Sequence, residues 1–490
     1  MSKPTAFQQI RGLKPNFWFA NWMEAQERLA FFGARAILPL YMVYAVSQGG
    51  MGLTFTQKGV IFSIWAWVQC LVPMVSGGFT DQYGYKKSLF VAYTINILGY
   101  LSFAFAHGFW GALGAACLVG LGTAIFKPPV QGTIAKASTD ENSSIAWGIF
   151  YWMVNVGGFL APMAAAQLRG ETNFKLVFIC AAGVTAFNFI PAIFFYREPE
   201  KVGPSKYKSP GQTFVDTMAT LKDKNFLIFL AIFSGFWFMF MQLWDLLPNF
   251  IDEWVTSTDI APYVKALNPG WLLGSGNVKP EILINIDAAA IILLMIPIAW
   301  LTGKLHPMVA LIGGMIVSVV AFIGAGSSPV GLIVALAIFV FAIGEMMCSP
   351  KFSEYIGLTA PPEKKAVYMG YSNIPFAVGW GLGNQISGPL YEHLGSKIHF
   401  ARDYLVSHLG LSQTDAANIP LENVMETMAS KMNGGQGATL EEATRLLWDM
   451  HHPWIVWVIL GGIGLISTIA MVGYYMKTKH TGISSNTVSG

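Results

Sequence analysis

The chain has 490 residues, of which 54% are hydrophobic and only 12% charged, with a formal net charge of +3. A soluble domain usually carries about 25% charged residues, so the composition excludes an ordinary soluble protein and indicates a membrane protein. The small net charge gives no reason to expect a nucleic-acid partner. The four cysteines lie far apart within apolar stretches, which argues against a disulfide framework or a zinc site: Cys70, Cys117, Cys180 and Cys348.

Apolar stretches long enough to cross about 30 Å of hydrocarbon recur along the chain and predict about 12 transmembrane helices. The polar and basic segment 197–225 separates the first six from the last six. This division predicts an all-α membrane protein with the major facilitator fold, built from two six-helix bundles. The predicted spans are 17–46, 57–79, 86–106, 109–133, 144–167, 174–196, 226–251, 280–302, 307–326, 330–356, 367–390 and 453–476.

Lysine and arginine residues predict the orientation, because cytoplasmic loops carry an excess of both. Most of them fall on the side of the two chain ends, so both termini are expected in the cytoplasm and the protein in the plasma (inner) membrane. The predicted organisation is an N-terminal tail (1–16), an N-terminal bundle (17–196), a cytoplasmic linker (197–225), a C-terminal bundle (226–476) with an extracytoplasmic insertion (391–452), and a C-terminal tail (477–490).

The first span carries four charges, Glu24, Glu27, Arg28 and Arg35. At 100° per residue they all lie within about 60° of Glu24 on one stripe of the helix. Each charge costs roughly 2.5–3.5 kcal/mol at the bilayer centre, so such residues normally face a protein interior or a wet cavity and mark an ion or substrate path. A structural cluster of ion pairs between helices is the alternative.

The second span ends in Gly77-Gly-Phe-Thr-Asp81-Gln-Tyr-Gly84-Tyr-Lys86-Lys87. This segment resembles the major facilitator loop motif, in which a glycine permits close helix contact. In that motif an aspartate and basic residues hold the inner face shut, so Asp81 is predicted to act in gating. An ordinary polar turn between two helices is the alternative.

Five motifs in both halves resemble, in order, those of the proton-dependent oligopeptide transporter family over residues 17–390. The first lies in the charged span, and the others lie in the fourth, fifth, tenth and eleventh spans. They are Glu24-x-x-Glu27-Arg28-x-x-Phe31-Phe32-Gly33, Phe126-Lys127-Pro128, Phe150-Tyr151-x-x-x-Asn155-x-Gly157, Gly344-Glu345-x-x-x-Ser349-Pro350 and Gly383-Asn384-x-x-x-Gly388.

The resemblance implies a site for a zwitterionic peptide, which needs cations at one end and an anion at the other. Arg35 and Lys127 would bind the carboxylate, Glu345 the ammonium group, and Asn155 the backbone or carboxylate. Three alternatives remain: Lys127 could pair structurally or snorkel, Asn155 could bridge helices, and Glu345 could be a structural partner. The remaining predicted substrate contacts are Phe31, Phe32 and Gln242.

Proton coupling requires a carboxyl group whose affinity for a proton depends on whether a cation lies beside it. Glu24 and Glu27 are the predicted proton carriers, with Arg28 and Lys127 as the cations that load or release the proton. A proton-driven carrier of this kind needs no cofactor and no metal ion.

The chain departs from the family pattern in its seventh span, where Met241 replaces a glutamate that would pair with Arg35. Asp245 lies four residues on, one turn along the same face, and is predicted to replace it and to gate the outer side with Arg35. Phe31 and Phe32 stand where tyrosines are usual. Asp287 in the eighth span is a further ionisable residue, and either it or Asp245 could be the replacement.

The long polar insertion is predicted to contain amphipathic helices at 400–409, 420–432 and 439–449. It holds five of the eight histidines, in a spacing that matches no metal motif. A solvated cap is therefore expected rather than a metal site.

These observations predict a proton-coupled symporter that imports di- and tripeptides by alternating access. The alternatives are a carrier of another small charged or polar solute, such as an amino-acid derivative, a modified peptide or a drug-like compound, and a membrane receptor that uses the insertion. An enzyme is not expected, because the spans contain no paired nucleophile and base. The expected partners are the substrate, protons and the lipid bilayer, and the chain is expected to be a monomer.

Overall fold

The computed structural model describes residues 6–73, 76, 79–80, 83–139, 142–199, 223–359 and 371–479. Within these ranges the regular structure is helical, and the extended pairings are two isolated bridges. The all-α fold predicted from the sequence is confirmed.

Twelve long helical regions, numbered α1–α12, form the body of the described chain. Three of them (α6, α7 and α8) are interrupted by one residue and continue as a second segment. Their bounds are Pro15–Val43, Phe55–Leu71, Tyr85–Phe105, Gly108–Ala137, Ser143–Arg169, Phe174–Phe187 with Phe189–Phe194, Lys224–Phe240 with Gln242–Asp245, Pro280–Ile284 with Ile286–Thr302, Pro307–Gly326, Gly331–Thr359, Asn373–Leu394 and Ile455–Lys479.

Local sequence signals set several helix starts. Pro15 occupies the first turn of α1, where its missing N–H costs no hydrogen bond. Thr54 caps α2 by accepting a hydrogen bond from Gln57 N, and the Gln57 side chain accepts one from Thr54 N in return. Asp223 caps α7 with its carboxylate, which accepts hydrogen bonds from Asn225 N and Phe226 N.

Nine of the described helices are long and apolar enough to cross a membrane: α3 to α10 and α12. The other three are less apolar or shorter for identifiable reasons. Helix α1 carries the four charges, the continuous described part of α2 has 17 residues, and α11 is rich in glycine and amides. With α1, α2 and α11, the described chain has the twelve long helices expected of the major facilitator fold.

The helices pack as two bundles, α1–α6 and α7–α12. They meet where α1 contacts the helix Leu247–Trp254 that follows α7, where α2 contacts α11, and where α5 contacts α8. The α2–α11 contact is close because glycines face each other across it. A Cβ atom built at Gly59 would lie 2.4 Å from the Asn384 carbonyl oxygen and 3.1 Å from Gly388 Cα. Glycine is therefore required there for the bundles to touch.

The two faces of the molecule differ. The face on which α1 begins and α12 ends is called the terminal face, and the opposite one the loop face. The loop face carries the shorter helices Leu247–Trp254 and Ala261–Leu267. It also carries the insertion, which follows the end of α11 at Leu394 and precedes the start of α12 at Ile455. The helix at Ala261–Leu267 was not predicted from the sequence, because the segment is short and contains a proline.

The insertion folds into four helices at Lys397–Ser407, Gln413–Asn418, Val424–Lys431 and Leu440–His451. Three correspond to the predicted helices, and the short second one was missed. The insertion packs on the C-terminal bundle: Trp254 contacts the rings of Trp448 and Phe400, at centroid distances of 5.7 and 6.2 Å. Its apolar side chains belong to the same buried core as α7–α12.

Candidate functional site

A cavity of about 1060 Å³ lies between the two bundles and reaches toward the terminal face. Helices α2, α4 and α5 line it on one side, and α7, α8, α10 and α11 on the other. Aromatic rings form much of its wall: Trp147, Tyr151, Trp237, Phe352 and Phe376. Such a wall suits an amphipathic organic solute.

Lys127 is the one charged side chain among the described residues that line this cavity. No carboxylate of the described chain forms an ion pair with it within 4 Å. Glu24 and Glu27 nevertheless interact with it electrostatically. The ammonium group is thus available to an anionic group in the cavity, and it lies within electrostatic reach of the acids of α1.

Three of the four charges in α1 form one buried cluster. Arg28 Nε donates a 2.5 Å hydrogen bond to Glu27 Oε2 and lies 3.3 Å from Glu24 Oε1. Thr123 Oγ1 donates to the other Glu27 oxygen, at 3.4 Å. Two carboxylates share one guanidinium, so the cluster needs one more positive charge, which a proton or Lys127 can supply.

Gly157 of the fifth-span motif explains how α5 packs against this cluster. A Cβ atom at Gly157 would lie 2.8 Å from Arg28 Cβ, which is too close for any other residue. The glycine therefore lets α5 approach α1 behind Arg28.

Arg35, the fourth charge, does not join this cluster. Its guanidinium forms a buried ion pair with Asp245 of α7, across the boundary between the bundles. It also lies over the ring of Phe62, 4.5 Å from the centroid, and is 5.4 Å from those of Trp65 and Trp380. The expectation that Asp245 would pair with Arg35 agrees with this geometry, while the gating role of the pair stays a prediction.

Asp245 is held by three further groups. Trp380 Nε1 and Asn384 Nδ2 each donate a 2.6 Å hydrogen bond to Asp245 Oδ2. Lys58 Nζ donates to the Asp245 carbonyl oxygen at 2.8 Å and to Asn249 Oδ1 at 2.6 Å. Asn384, from the eleventh-span motif, thus orients the Asp245 carboxylate. Two cations of the N-terminal bundle, Arg35 and Lys58, contact Asp245 across the boundary between the bundles.

Lys58 and Arg169 were not predicted as site residues. The Lys58 side chain is 1% exposed, in the first turn of α2. Arg169, at the end of α5, is fully buried and forms a bidentate ion pair with Glu281 of α8. The two N–O distances are 2.5 and 3.1 Å.

Glu345 and Asp287 lie together in the C-terminal bundle, on α10 and α8. Their carboxyl groups interact electrostatically, and α8 packs against α10. Glu345 itself is not among the residues that line the cavity, although Ser349, one turn further along α10, is.

The other predicted substrate contacts lie away from the cavity wall in this conformation. Asn155 Nδ2 donates to the Tyr151 carbonyl oxygen of its own helix, at 2.8 Å. Gln242 is fully buried and accepts from Ser387 Oγ at 2.7 Å. Phe31 is in the core of the N-terminal bundle, and Phe32 packs against it. Their predicted contact with substrate stays untested, as does the role of Asp81, which lies outside the described residues.

Polar contacts between described residues of the two bundles lie toward the loop face, near the helix ends that point to it. Besides the pairs of Arg35 and Arg169, Tyr44 OH donates to Asp252 at 2.7 Å, and Lys279 Nζ donates to the Ala166 carbonyl oxygen at 2.7 Å. The cavity lies on the other side of these contacts. The described conformation is therefore closed at the loop face.

Two six-helix bundles around a central cavity define a carrier-type membrane protein. The chain belongs to the Major Facilitator Superfamily, which its residues 28–384 match. It is 23% identical over 381 residues to the multidrug resistance protein MdtH of Shigella sonnei (strain Ss046), a match that covers 76% of this chain and 86% of MdtH.

Solved structures show the same fold at low sequence identity. A crystal structure of the peptide transporter POT in complex with sulfate has a TM-score of 0.68 and 18% identity, and covers 94% of each chain. A POT family transporter in complex with 5-aminolevulinic acid has a TM-score of 0.67 and 16% identity, and covers 96% of this chain and 99% of the other.

Proposed function

We propose that the chain is a proton-coupled symporter of the oligopeptide transporter family that imports small peptides by alternating access. The observation that carries the proposal is the buried cluster of Glu24, Glu27 and Arg28, which is one positive charge short and within electrostatic reach of Lys127 in the cavity. The sequence motifs that place these residues resemble those of that family.

The cluster supports proton coupling. Burial strongly disfavours an uncompensated carboxylate, so the cluster of two acids and one guanidinium requires either a proton or a second cation. When Lys127 turns toward them, the proton can leave, and when Lys127 turns to a substrate carboxylate, a proton must return. Substrate binding and proton binding then depend on each other.

The cavity supports a small zwitterionic substrate. Its volume of about 1060 Å³ is just above the range of about 300–1,000 Å³ that small-molecule sites span. Lys127 offers a cation on the side of the N-terminal bundle, and Glu345 lies beyond Ser349 on the other side. A carboxylate and an ammonium group at opposite ends of a di- or tripeptide would match this arrangement.

The closed loop face supports alternating access. Arg35–Asp245 and Arg169–Glu281 would have to part for a substrate to enter from that side. The terminal face would be cytoplasmic, in a plasma membrane, so the conformation would be the releasing one. We propose a monomer as the working unit, because each bundle pair contains a complete cavity.

A carrier of another small solute is the second candidate. The match to a multidrug resistance protein favours it, as do three departures from the peptide-family pattern, Met241, Phe31 and Phe32. The aromatic wall of the cavity would also accept a drug-like amphipathic compound.

Uptake by purified protein in proteoliposomes distinguishes the two candidates. An inward proton gradient should concentrate alanyl-alanine inside the vesicles, and Glu27→Gln protein at the same density should only equilibrate it. Gradient-driven accumulation of an aromatic amine but of no di- or tripeptide would replace the peptide proposal by the second candidate.

A further inference from the structure

A cavity of about 610 Å³, which we call the outer pocket, lies at the loop face. Its walls come from the segment 43–55 that joins α1 to α2, the helix Leu247–Trp254, the end of α11, and the insertion. Asn249, one of its lining residues, accepts a hydrogen bond from Lys58, which also donates to the Asp245 carbonyl oxygen. The outer pocket thus lies on the loop side of the Asp245 ion pair, and a solute that enters from the loop face meets it first.

The charged side chains among the described lining residues all belong to the C-terminal bundle and the insertion. The bases Lys397 and Arg402, for example, lie on the first helix of the insertion. The N-terminal bundle contributes only uncharged lining residues. Because the insertion packs on the C-terminal bundle, acids and bases are held by one body. Parting of the bundles at the loop face would therefore leave these charges together.

Hydroxyl groups donate to the acids that line the outer pocket. Three of the acids accept from residues of the N-terminal bundle: Asp252 from Tyr44, Glu392 from Thr56, and Glu422 from Ser47. Glu253 accepts instead from Tyr391 OH of α11, at 2.8 Å, and from Lys397 N, at 3.3 Å. The hydrogen bonds of Glu253 therefore do not depend on the N-terminal bundle, so this acid keeps its position whether the loop face is closed or open.

The two bases of the outer pocket have no counter-ion in the described chain. No carboxylate of a described residue lies within 4 Å of a nitrogen atom of the Lys397 or Arg402 side chain. Arg402 Nη2 donates to the Ile419 carbonyl oxygen at 3.0 Å, but its Nε atom is buried without a partner among the described residues. The Lys397 ammonium group lies 5.5 Å from the centroid of the Trp254 ring. A buried donor without a partner is unfavourable, so an anionic group in the pocket would gain these contacts.

The charges of the outer pocket restrict the kind of solute that fits it. The lining acids repel a simple anion, and Lys397 and Arg402 repel a simple cation. A solute with a carboxylate and an ammonium group can form charge-assisted hydrogen bonds with both sets at once. The volume of about 610 Å³ lies within the range of about 300–1,000 Å³ for small-molecule sites. A small zwitterion is therefore the class of solute that matches the pocket.

We propose that the outer pocket is an entry site for a small zwitterionic solute, in which Lys397 and Arg402 bind its carboxylate and Glu253 binds its ammonium group. The proposal rests on the proposed function for the direction of transport, and it adds a second solute site that the insertion helps to build. A solute held there is next to the loop face when the bundles part. The site would therefore lower the KM for uptake without changing the maximum rate.

Protection of a cysteine from maleimide measures how far the outer pocket is occupied. Gln48 lines the pocket and is exposed, so Gln48→Cys places the thiol there. Labelling of purified protein is followed at pH 8, because burial raises the pKa of Glu253 to about 7 and the carboxyl group is then largely ionised. The labelling rate of the wild type, which has four native cysteines, is subtracted.

Three five-carbon compounds with different charged groups are the probes: 5-aminopentanoate, pentanoate and pentylamine. 5-Aminopentanoate should slow the labelling of Gln48→Cys protein. Each of the other two lacks one of the two charged contacts, so each should need a concentration at least about tenfold higher for the same protection.

Variants at both ends of the site complete the test. Lys397→Gln and Glu253→Gln, each combined with Gln48→Cys, should raise the half-protecting concentration of 5-aminopentanoate about tenfold, because each removes one charged partner. Lys397→Arg should keep most of the protection, since it retains the charge. Lys431→Gln is the matched control, because Lys431 is exposed on another helix of the insertion. The use of two variants keeps the test decisive if one fails to fold.

Uptake kinetics show whether the site serves transport. In proteoliposomes, Lys397→Gln should raise the KM for alanyl-alanine several-fold and leave the maximum rate unchanged, while Lys431→Gln should match the wild type. A lower maximum rate at an unchanged KM would assign Lys397 to the opening of the loop face and would overturn the entry site.

Three labelling results would also overturn it: equal protection by the three probes, protection that neither Lys397→Gln nor Glu253→Gln weakens, or no protection by 5-aminopentanoate and alanyl-alanine. The failure of this proposal differs from the failure of the proposed function. Protection that depends on Lys397, in a protein that transports no peptide, would keep the entry site and reject the peptide proposal. Peptide accumulation without any protection would do the reverse.

Discussion

The Arg35 guanidinium and the Asp245 carboxylate form a buried ion pair that joins the two bundles. The aromatic rings of Phe62, Trp65 and Trp380 surround the guanidinium, and Asn384 orients the carboxylate. Asp245 is fully buried and Arg35 is 7% exposed, so the pair behaves as one buried unit.

Asp245→Asn should destabilise the closed conformation, because it leaves the Arg35 guanidinium buried without a counter-charge. Breaking such a pair costs about 3–5 kcal/mol, so the melting temperature in detergent should fall markedly. A cysteine introduced at Leu53, which is 6% exposed at the loop face, should become more reactive to maleimide. Asp252→Asn, which removes an acceptor of Tyr44, is the matched control, with a smaller loss.

Adding Met241→Glu to Asp245→Asn should restore both the melting temperature and the protection of the Leu53→Cys thiol. Met241 is buried one turn before Asp245 on the same helix, so a carboxylate there can reach the same guanidinium. Unchanged stability in the single variant, with no recovery in the double, would show that Arg35 is neutralised by another group.

Glu281→Gln should be strongly destabilising, since it leaves Arg169 fully buried and unpaired. The double variant Arg169→Met/Glu281→Met should recover most of the loss, because an apolar pair of similar volume avoids the desolvation of two ions. Melting temperatures of the two variants and the wild type check this. A double variant as unstable as Glu281→Gln would mean that the pair is replaceable only by charges.

Glu27→Gln should abolish proton-driven accumulation of substrate but leave exchange of substrate across the membrane partly intact. The amide keeps the size of the side chain and can still accept from Thr123 Oγ1, but it cannot bind and release a proton. Counterflow and gradient-driven uptake are measured in the same vesicles, with Glu422→Gln in the insertion as the control. Accumulation at the wild-type rate would exclude Glu27 as a proton carrier.

The stability of the loop face should depend on pH through Glu253, which lies beyond α7. Burial raises the pKa of this carboxyl group from 4.5 to about 7, despite hydrogen bonds from Tyr391 OH and Lys397 N. The folded protein therefore binds this proton more tightly than the unfolded chain, and stability falls as the pH rises from about 4.5 to about 7.

Melting temperatures between pH 5 and pH 8 test this expectation. Glu253→Gln should flatten the fall with rising pH. Glu422→Gln should leave the slope unchanged, because a hydrogen bond from Ser47 lowers the pKa of Glu422, so it remains charged throughout this range. Equal slopes in all three proteins would show that the Glu253 carboxyl group is hydrated in the folded state.

Hydropathy was enough to predict the twelve spans, because the length of an apolar stretch is a local property. The pairing of Arg35 with Asp245 was predicted from the resemblance to the oligopeptide transporters, together with the spacing of Met241 and Asp245 by one turn. The roles of Lys58 and Arg169 could not be predicted in the same way, because each lies at the end of a span. At that position the sequence does not distinguish an exposed loop residue from a buried cation.

Contacts that depend on how helices far apart in the sequence pack also could not be predicted. Nothing in the local sequence around Asp287 indicates that α10 brings Glu345 to it. A sharper signal was present for Glu281, an acid at the start of an apolar span whose partner had to be a cation at the loop face. Matching the charged residues at the ends of different predicted spans would have suggested Arg169 as the partner of Glu281.

The insertion packs on the C-terminal bundle and contacts the N-terminal bundle through few side chains. Its core is continuous with α7–α12, while Ser47 Oγ donates to Glu422 at 2.5 Å across the boundary. A nanobody whose footprint covers both the 46–54 loop and the helix at Val424–Lys431 would therefore recognise a composite epitope that exists only while the loop face is closed. Such a binder would trap the carrier in a single state and serve as a fiducial marker for cryo-electron microscopy of a small membrane protein.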